Sequence, residues 1–97
     1  MNIVWTFTAQ SKANDIAAFI ACDNVAVAEK WLAGLFDYPE RLRRFPRSGR
    51  IVPEFANPAI RELLYGNYRI IYRIRSNLVE ILTVHHCRKL LRPGDDH

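Results

Sequence analysis

Hydrophobic positions recur at helical spacing through the first part of the chain and alternate with polar ones through the last part. Residues 2 to 7, NIVWTF, alternate and carry β-branched and aromatic side chains, which predicts a short first strand. Thr8 follows as the expected N-cap, its hydroxyl able to accept from a free amide of the next turn. Ala9, Ala13, Ile16 and Ile20, with Phe19 beside them, then give one apolar helix face to about Ala21. Asp23 or Asn24 ends that helix and caps a second. There Ala28, Trp31, Leu32 and Leu35 form the buried stripe, and Glu29, Lys30 and Asp37 point outward. So short a connection predicts an antiparallel helix hairpin. Pro39 cannot donate an amide, so the helix should break near Asp37, with a short new turn over PERLRR.

The stretch FPRSGRIVPEFANP, with three prolines, a glycine and a serine, reads as a long connection in which Ile51 and Val52 add a brief strand. From Ala59 the alternation is interrupted at Gly66-Asn67 and Ser76-Asn77, two tight-hairpin signals. The expected result is a three-stranded antiparallel meander, 59–65, 68–75 and 78–87. The tail KLLRPGDDH holds two residues, Leu90 and Leu91, able to dock. The fold class is therefore α+β: an N-terminal strand and a helix hairpin packed on a twisted antiparallel sheet.

Arginines interrupt the apolar run of the meander at Arg69, Arg73 and Arg75. Directly opposed residues of an antiparallel pair share a sheet face. With two-residue loops, Arg69 lies opposite Leu64 and Val84, and Arg73 opposite Glu80. One face then carries Glu62, Leu64, Arg69, Ile71, Arg73, Glu80, Leu82, Val84 and His86. The other carries Leu63, Tyr65, Tyr68, Ile70, Tyr72, Ile74, Val79, Ile81, Thr83, His85 and Cys87, and should receive the helices. A four-residue first loop would shift the pairing by two positions yet keep this parity. The arginines are thus expected on an open face. Arg73 and Glu80 make a cross-strand ion pair worth a few tenths to about 1 kcal/mol. Arg69 has no equally obvious acid, although Glu62 would be close under the longer loop, and is the candidate for a site or partner role.

At 97 residues the chain is expected to form one domain, 1–97. It has no apolar run near the roughly 18 residues that span a bilayer. The start MNIVWTF lacks the basic flank of a signal peptide, so a cytoplasmic location is expected. Cys22 and Cys87 are then expected as buried, reduced thiols. His85 and Cys87 share a predicted strand face, but it is the core face and a closed zinc site needs about four ligands, so neither a metal nor another cofactor is expected.

Net charge is +4 and unevenly spread: residues 1 to 40 hold two lysines against five acids, and residues 41 to 97 hold twelve Lys or Arg against five. Such asymmetry favours an anionic partner, nucleic acid or an acidic protein segment. The cluster Arg41, Arg43, Arg44, Arg47 and Arg50, with Phe45 among them, is able to contact phosphates. It equally suits a solvated helix end, where cations complement the dipole.

Three stretches, FPRSGR, IRELLYGNYRIIYRI and VEILTVHHCRK, together resemble the RelE/ParE superfamily of toxins from type II toxin–antitoxin modules. The resemblance covers nearly the whole chain and implies a β-α-α-β-β-β arrangement. It also implies neutralisation by a cognate antitoxin whose segment covers basic surface, here Arg61, Arg69, Arg88 and Lys89. RelE-like members cut messenger RNA on the ribosome. That reading makes Arg69 the phosphate-stabilising cation, with His86 and Glu62 as proton-transfer groups in a metal-independent reaction. ParE-like members instead poison DNA gyrase and are not nucleases. The lysine pair of RelE has no counterpart in AIRELLY, and no tyrosine follows the last strand. Pro46 to Arg50 (P-x-x-G-R), Ile60 to Leu63 and the ending His86-x-Arg88-Lys89 look more like the ParE branch. The resemblance therefore implies a gyrase poison first, a ribosome-dependent endoribonuclease second, and an inactive antitoxin-binding relic third.

Overall fold

A computed structural model describes residues 1–88; the expected docking of Leu90 and Leu91 and the position of Lys89 lie outside it. Two helices, α1 (Phe7–Ala21) and α2 (Val25–Asp37), follow strand β1 (Asn2–Trp5). A 3-10 helix, Tyr38–Arg43, leads to β2 (Arg50–Ile51), β3 (Ile60–Tyr65), β4 (Tyr68–Arg75) and β5 (Leu78–His86). The five strands form one sheet in the order β1-β5-β4-β3-β2. The meander is antiparallel as expected, while β1 runs parallel to β5 along its outer side, so the sheet is mixed.

Helix α1 is capped by Thr6, two residues before the expected Thr8. Its hydroxyl accepts from the Ala9 amide at 3.1 Å and lies within donating distance of the carbonyl oxygens of Ile81 (2.9 Å) and Leu82 (3.0 Å). Thr6 is thus selected by contact with β5, which a local reading of the helix start does not contain. The buried stripe of α1 is Ala9, Ala13 and Ala17, small residues of which Ala9 and Ala13 join the core against the sheet. Ile16 packs at the edge of the core, and Phe19, expected beside the apolar face, is 79% exposed. Asn24 caps α2 by accepting from Val27 N at 3.1 Å. The helix stops at Asp37 as expected, with Pro39 in the first turn of the 3-10 segment.

The core between helices and sheet contains Ala9, Ala13, Leu35, Leu42, Leu63, Ile70, Tyr72, Val79, Ile81 and Val84. Two glycines set how closely the layers meet. At Gly34 in α2 a Cβ would lie 2.1 Å from the Tyr65 hydroxyl, which reaches past it to donate to Trp31 O at 3.1 Å. At Gly49 a Cβ would lie 2.6 Å from both Glu62 O and the Tyr72 hydroxyl. The Tyr72 hydroxyl accepts from Gly49 N at 3.0 Å and donates to Pro46 O at 2.7 Å, which explains the glycine in P-x-x-G-R. Burial raises the pKa of this phenol, with the Gly49 amide acting in the opposite direction.

One irregularity redistributes the last strand. Ile71 pairs with Thr83 but Tyr72 pairs with Ile81, leaving Leu82 as an extra residue in β5. Up to the bulge the expected register holds, including Arg73 opposite Glu80. Beyond it the faces invert: Val84 enters the core opposite Ile70, His85 stands opposite Arg69, and His86 stands opposite Tyr68. The assignment of His86 and Val84 to the face of Arg69 is therefore corrected, as is that of Thr83, His85 and Cys87 to the helix side. Nor is the Arg69 face open throughout. The segment after β2 covers part of it, closing a second apolar cluster of Val52, Ile60, Ile71 and Leu82 with Phe55 against it. Both cysteines are exposed, not buried. Among the described residues, no helix is long and apolar enough to cross a membrane.

Candidate functional site

Arg69 points to the sheet face away from the helices, where the segment after β2 folds over it. Only 4% of the residue is exposed. Its Nε donates to Glu62 Oε1 at 2.6 Å, and Nη1 and Nη2 donate in parallel to Glu54 Oε2 and Oε1 at 2.7 and 2.9 Å. The opposite oxygen of Glu62 accepts from Arg50 Nε, across the β2–β3 register pair. The Glu62 side chain is fully buried and that of Arg50 is 59% exposed. Two guanidiniums and two carboxylates thus alternate from solvent to interior and back. The Glu54 hydrogen bonds raise the Arg69 pKa further above its ordinary range, outweighing the lowering by burial, and Glu62 adds to the rise.

Fork-to-fork geometry with Glu54 uses the edge of the guanidinium that a phosphate would otherwise occupy. Beside the cluster lies a cleft of about 560 Å³ lined by Arg50, Pro53, Glu54, Leu64, Arg69 and Cys87. The structure therefore brings Arg69 and Glu62 together, as structural partners within one ion network. His86 is separated from them by the bulge. Its ring packs edge-on to Tyr68 at 5.4 Å between centroids, and its Nδ1 accepts from Arg88 N at 3.1 Å.

The remaining expected contacts are dispersed. Arg61 donates to the carbonyls of Pro58 (2.9 Å), Arg47 (3.2 Å) and Gly49 (2.9 Å), bracing the connection from behind. Arg88 is exposed at the end of β5. Arg73 makes the expected pair with Glu80, Nη2 to Oε1 at 3.1 Å, and Arg75 reaches the same oxygen at 3.7 Å. Glu54 was missed by sequence reasoning. Its signal is that it is the sole acid in the otherwise basic stretch from Arg41 to Arg61.

The β1-α1-α2-β2 to β5 order, with a helix hairpin on one face of the sheet and the arginine-bearing meander at its centre, defines the RelE/ParE class of small toxin folds. The chain belongs to the ParE toxin family: the sequence profile described as "ParE toxin of type II toxin-antitoxin system, parDE" matches residues 3–91. A solved structure titled "Chromosomal ParDE TA system from P. aeruginosa" superposes with a TM-score of 0.74 at 18% identity. The match covers 89% of this chain and 95% of that one. At that identity the likeness speaks for the fold. A search of curated proteins found no match.

Proposed function

We propose that this chain is the toxin half of a type II module, silenced by a cognate antitoxin, and that its target is DNA gyrase and not ribosome-bound messenger RNA. The observation that carries the choice of target is the neutralisation of Arg69. A ribonuclease of this fold needs a sheet cation free to meet a phosphate. Here the residue is 4% exposed and its guanidinium is bound on its outer edge by Glu54 and at Nε by Glu62. Freeing it would leave the buried Glu62 carboxylate with the largely exposed Arg50 as its partner, a cost of up to about 3–5 kcal/mol. The proposed proton-transfer partner, His86, stands on the other sheet face, which further weakens the nuclease assignment of Arg69, His86 and Glu62. Arg61 is committed to backbone carbonyls, so Arg88 with Lys89 is the better candidate for antitoxin or target contact.

The test is induction of the chain alone, with supercoiling by purified gyrase and ribosome-bound messenger RNA followed in parallel. Blocked supercoiling with intact message is expected, relieved by the antitoxin. Cuts in the message with normal supercoiling would transfer the function to the ribonuclease reading. A folded protein that does neither is the inactive relic, and the proposal fails.

A further inference from the structure

The 3-10 helix and the turn after it form a cationic ridge with no role in the Arg69 network. In a 3-10 helix residues three apart eclipse one another, so its side chains stand in three columns. Pro39 and Leu42 form the buried column. Glu40 and Arg43 form the second and neutralise each other, Nε to Oε1 at 2.7 Å. The third is Tyr38 and Arg41, continued by Arg44: the Arg41 guanidinium lies 4.4 Å from the Tyr38 ring centroid, and that of Arg44 lies 5.7 Å from the ring of Phe45. Arg47 follows, exposed, in the turn. Among the described residues, no carboxylate pairs with Arg41, Arg44 or Arg47, although Arg43, Arg50 and Arg73 each pair with one and Arg69 with two.

The ridge is also preordered. Arg44 N and Phe45 N both donate to Arg41 O, at 3.2 and 3.0 Å, and Ser48 N donates to Phe45 O at 3.1 Å. Tyr72 holds Pro46 O, and Arg61 holds the carbonyls of Arg47 and Gly49 from behind. Little backbone ordering remains to be done when a partner arrives.

We propose that Arg41, Arg44 and Arg47 form a binding surface for the phosphate backbone of duplex DNA. Rings that carry stacked guanidiniums leave the N–H edges of those guanidiniums directed outward, which is the geometry for phosphate oxygens. By the 3-10 rise, Arg41 and Arg44 are about 6 Å apart along the axis, comparable to the step between successive phosphates of one strand. Single strands are bound through several open aromatic faces. Here one exposed ring, Phe45, already carries Arg44. RNA duplexes are distinguished in part by contacts to the 2'-hydroxyl, for which the ridge offers only the hydroxyls of Ser48 and Tyr38. The surface is therefore sequence-independent and electrostatic, and its existence does not rest on gyrase being the target.

The test uses the full 97-residue chain and a fluorescent 20-base-pair duplex of arbitrary sequence, with affinity measured from low to moderate salt. The Arg41→Ala, Arg44→Ala, Arg47→Ala triple variant should fold normally, since all three side chains are exposed. Its log K against log salt slope should fall by about three, roughly one per contact. The corresponding Arg→Lys triple variant should keep the slope, because a phosphate accepts any cation. Removing the same charge elsewhere, in Lys12→Ala, Lys30→Ala, Arg75→Ala, should change it by less than one. The proposal is overturned if the two alanine triples lose equal slope, if the ridge variant keeps the wild-type slope, or if the lysine variant behaves as the alanine one. Tighter binding to duplex RNA, single-stranded DNA or a polyglutamate chain than to duplex DNA overturns it as well.

Discussion

A methyl group at Gly49 would sit 2.6 Å from the Glu62 carbonyl oxygen and from the Tyr72 hydroxyl, so backbone and phenol would both have to move. Gly49→Ala is expected to cost about 1–3 kcal/mol in urea denaturation, within the range for overpacking a tight site. Tyr72→Phe leaves Pro46 O and Gly49 N unpaired, also about 1–3 kcal/mol. The two effects should be non-additive, since the phenyl ring relieves part of the clash. The phenol has a second signature. Its native pKa is raised above the ordinary 10.0 by burial. The folded state therefore holds the proton more tightly than the unfolded one. The associated stability is complete below about pH 10 and is lost as pH climbs from there through the native pKa. Wild-type urea midpoints should decline above pH 10 more steeply than those of Tyr72→Phe. Parallel curves would show that the buried phenol is not what titrates. Within the motif, the glycine was legible in the sequence but its reason was not, because that reason is a side chain 23 positions away.

At the scale of elements, the hairpins, the break at Pro39 and the Arg73–Glu80 pair could be read from alternation and turn residues, because each is decided within one or two neighbouring segments. The bulge could not, since a parity argument that tolerates any even shift is blind to a single inserted residue. The sequence held a warning nonetheless. Strict alternation along EILTVHH places Thr83 and His85 on the core face and Val84 outside, and an insertion near Leu82 removes that conflict for Val84. Thr6 joins this bulge to α1, so Thr6→Ala loses both the helix cap and a hydroxyl contact with β5. A loss of about 2 kcal/mol is expected, against about 1 kcal/mol for Asn24→Ala, which removes an exposed cap alone. Equal losses would mean that the β5 contact contributes nothing. Helix–sheet docking offers a sharper case at Gly34. Alanine is the better helix former by about 1 kcal/mol, yet Gly34→Ala should destabilise because of the Tyr65 hydroxyl 2.1 Å from the new Cβ. Adding Tyr65→Phe should recover part of the loss, and a purely additive double mutant would sink this account.

For the whole molecule, the question is whether Arg69 serves structure or chemistry, since the two readings of the toxin part there. The cation lies between two carboxylates on the side of the sheet away from the helices, and single removal leaves Glu62 buried with only Arg50, 59% exposed on its side chain, as a partner. Arg69→Met alone should therefore cost about 3–5 kcal/mol, enough to lower the amount of folded protein in cells and with it any growth inhibition. Loss of toxicity in that variant is thus no evidence of catalysis. Pairing it with Glu62→Leu removes both buried charges and replaces them with apolar volume, an exchange that is often neutral. Arg50 and Glu54 can then turn to water, as their side chains are already partly exposed. The double variant should regain most of the thermal stability lost by Arg69→Met, and with it the growth inhibition of the parent and, under the proposed function, its block of gyrase. If it regains stability but stays harmless, the guanidinium itself is needed for the activity, and the sheet cation returns to the centre of the mechanism.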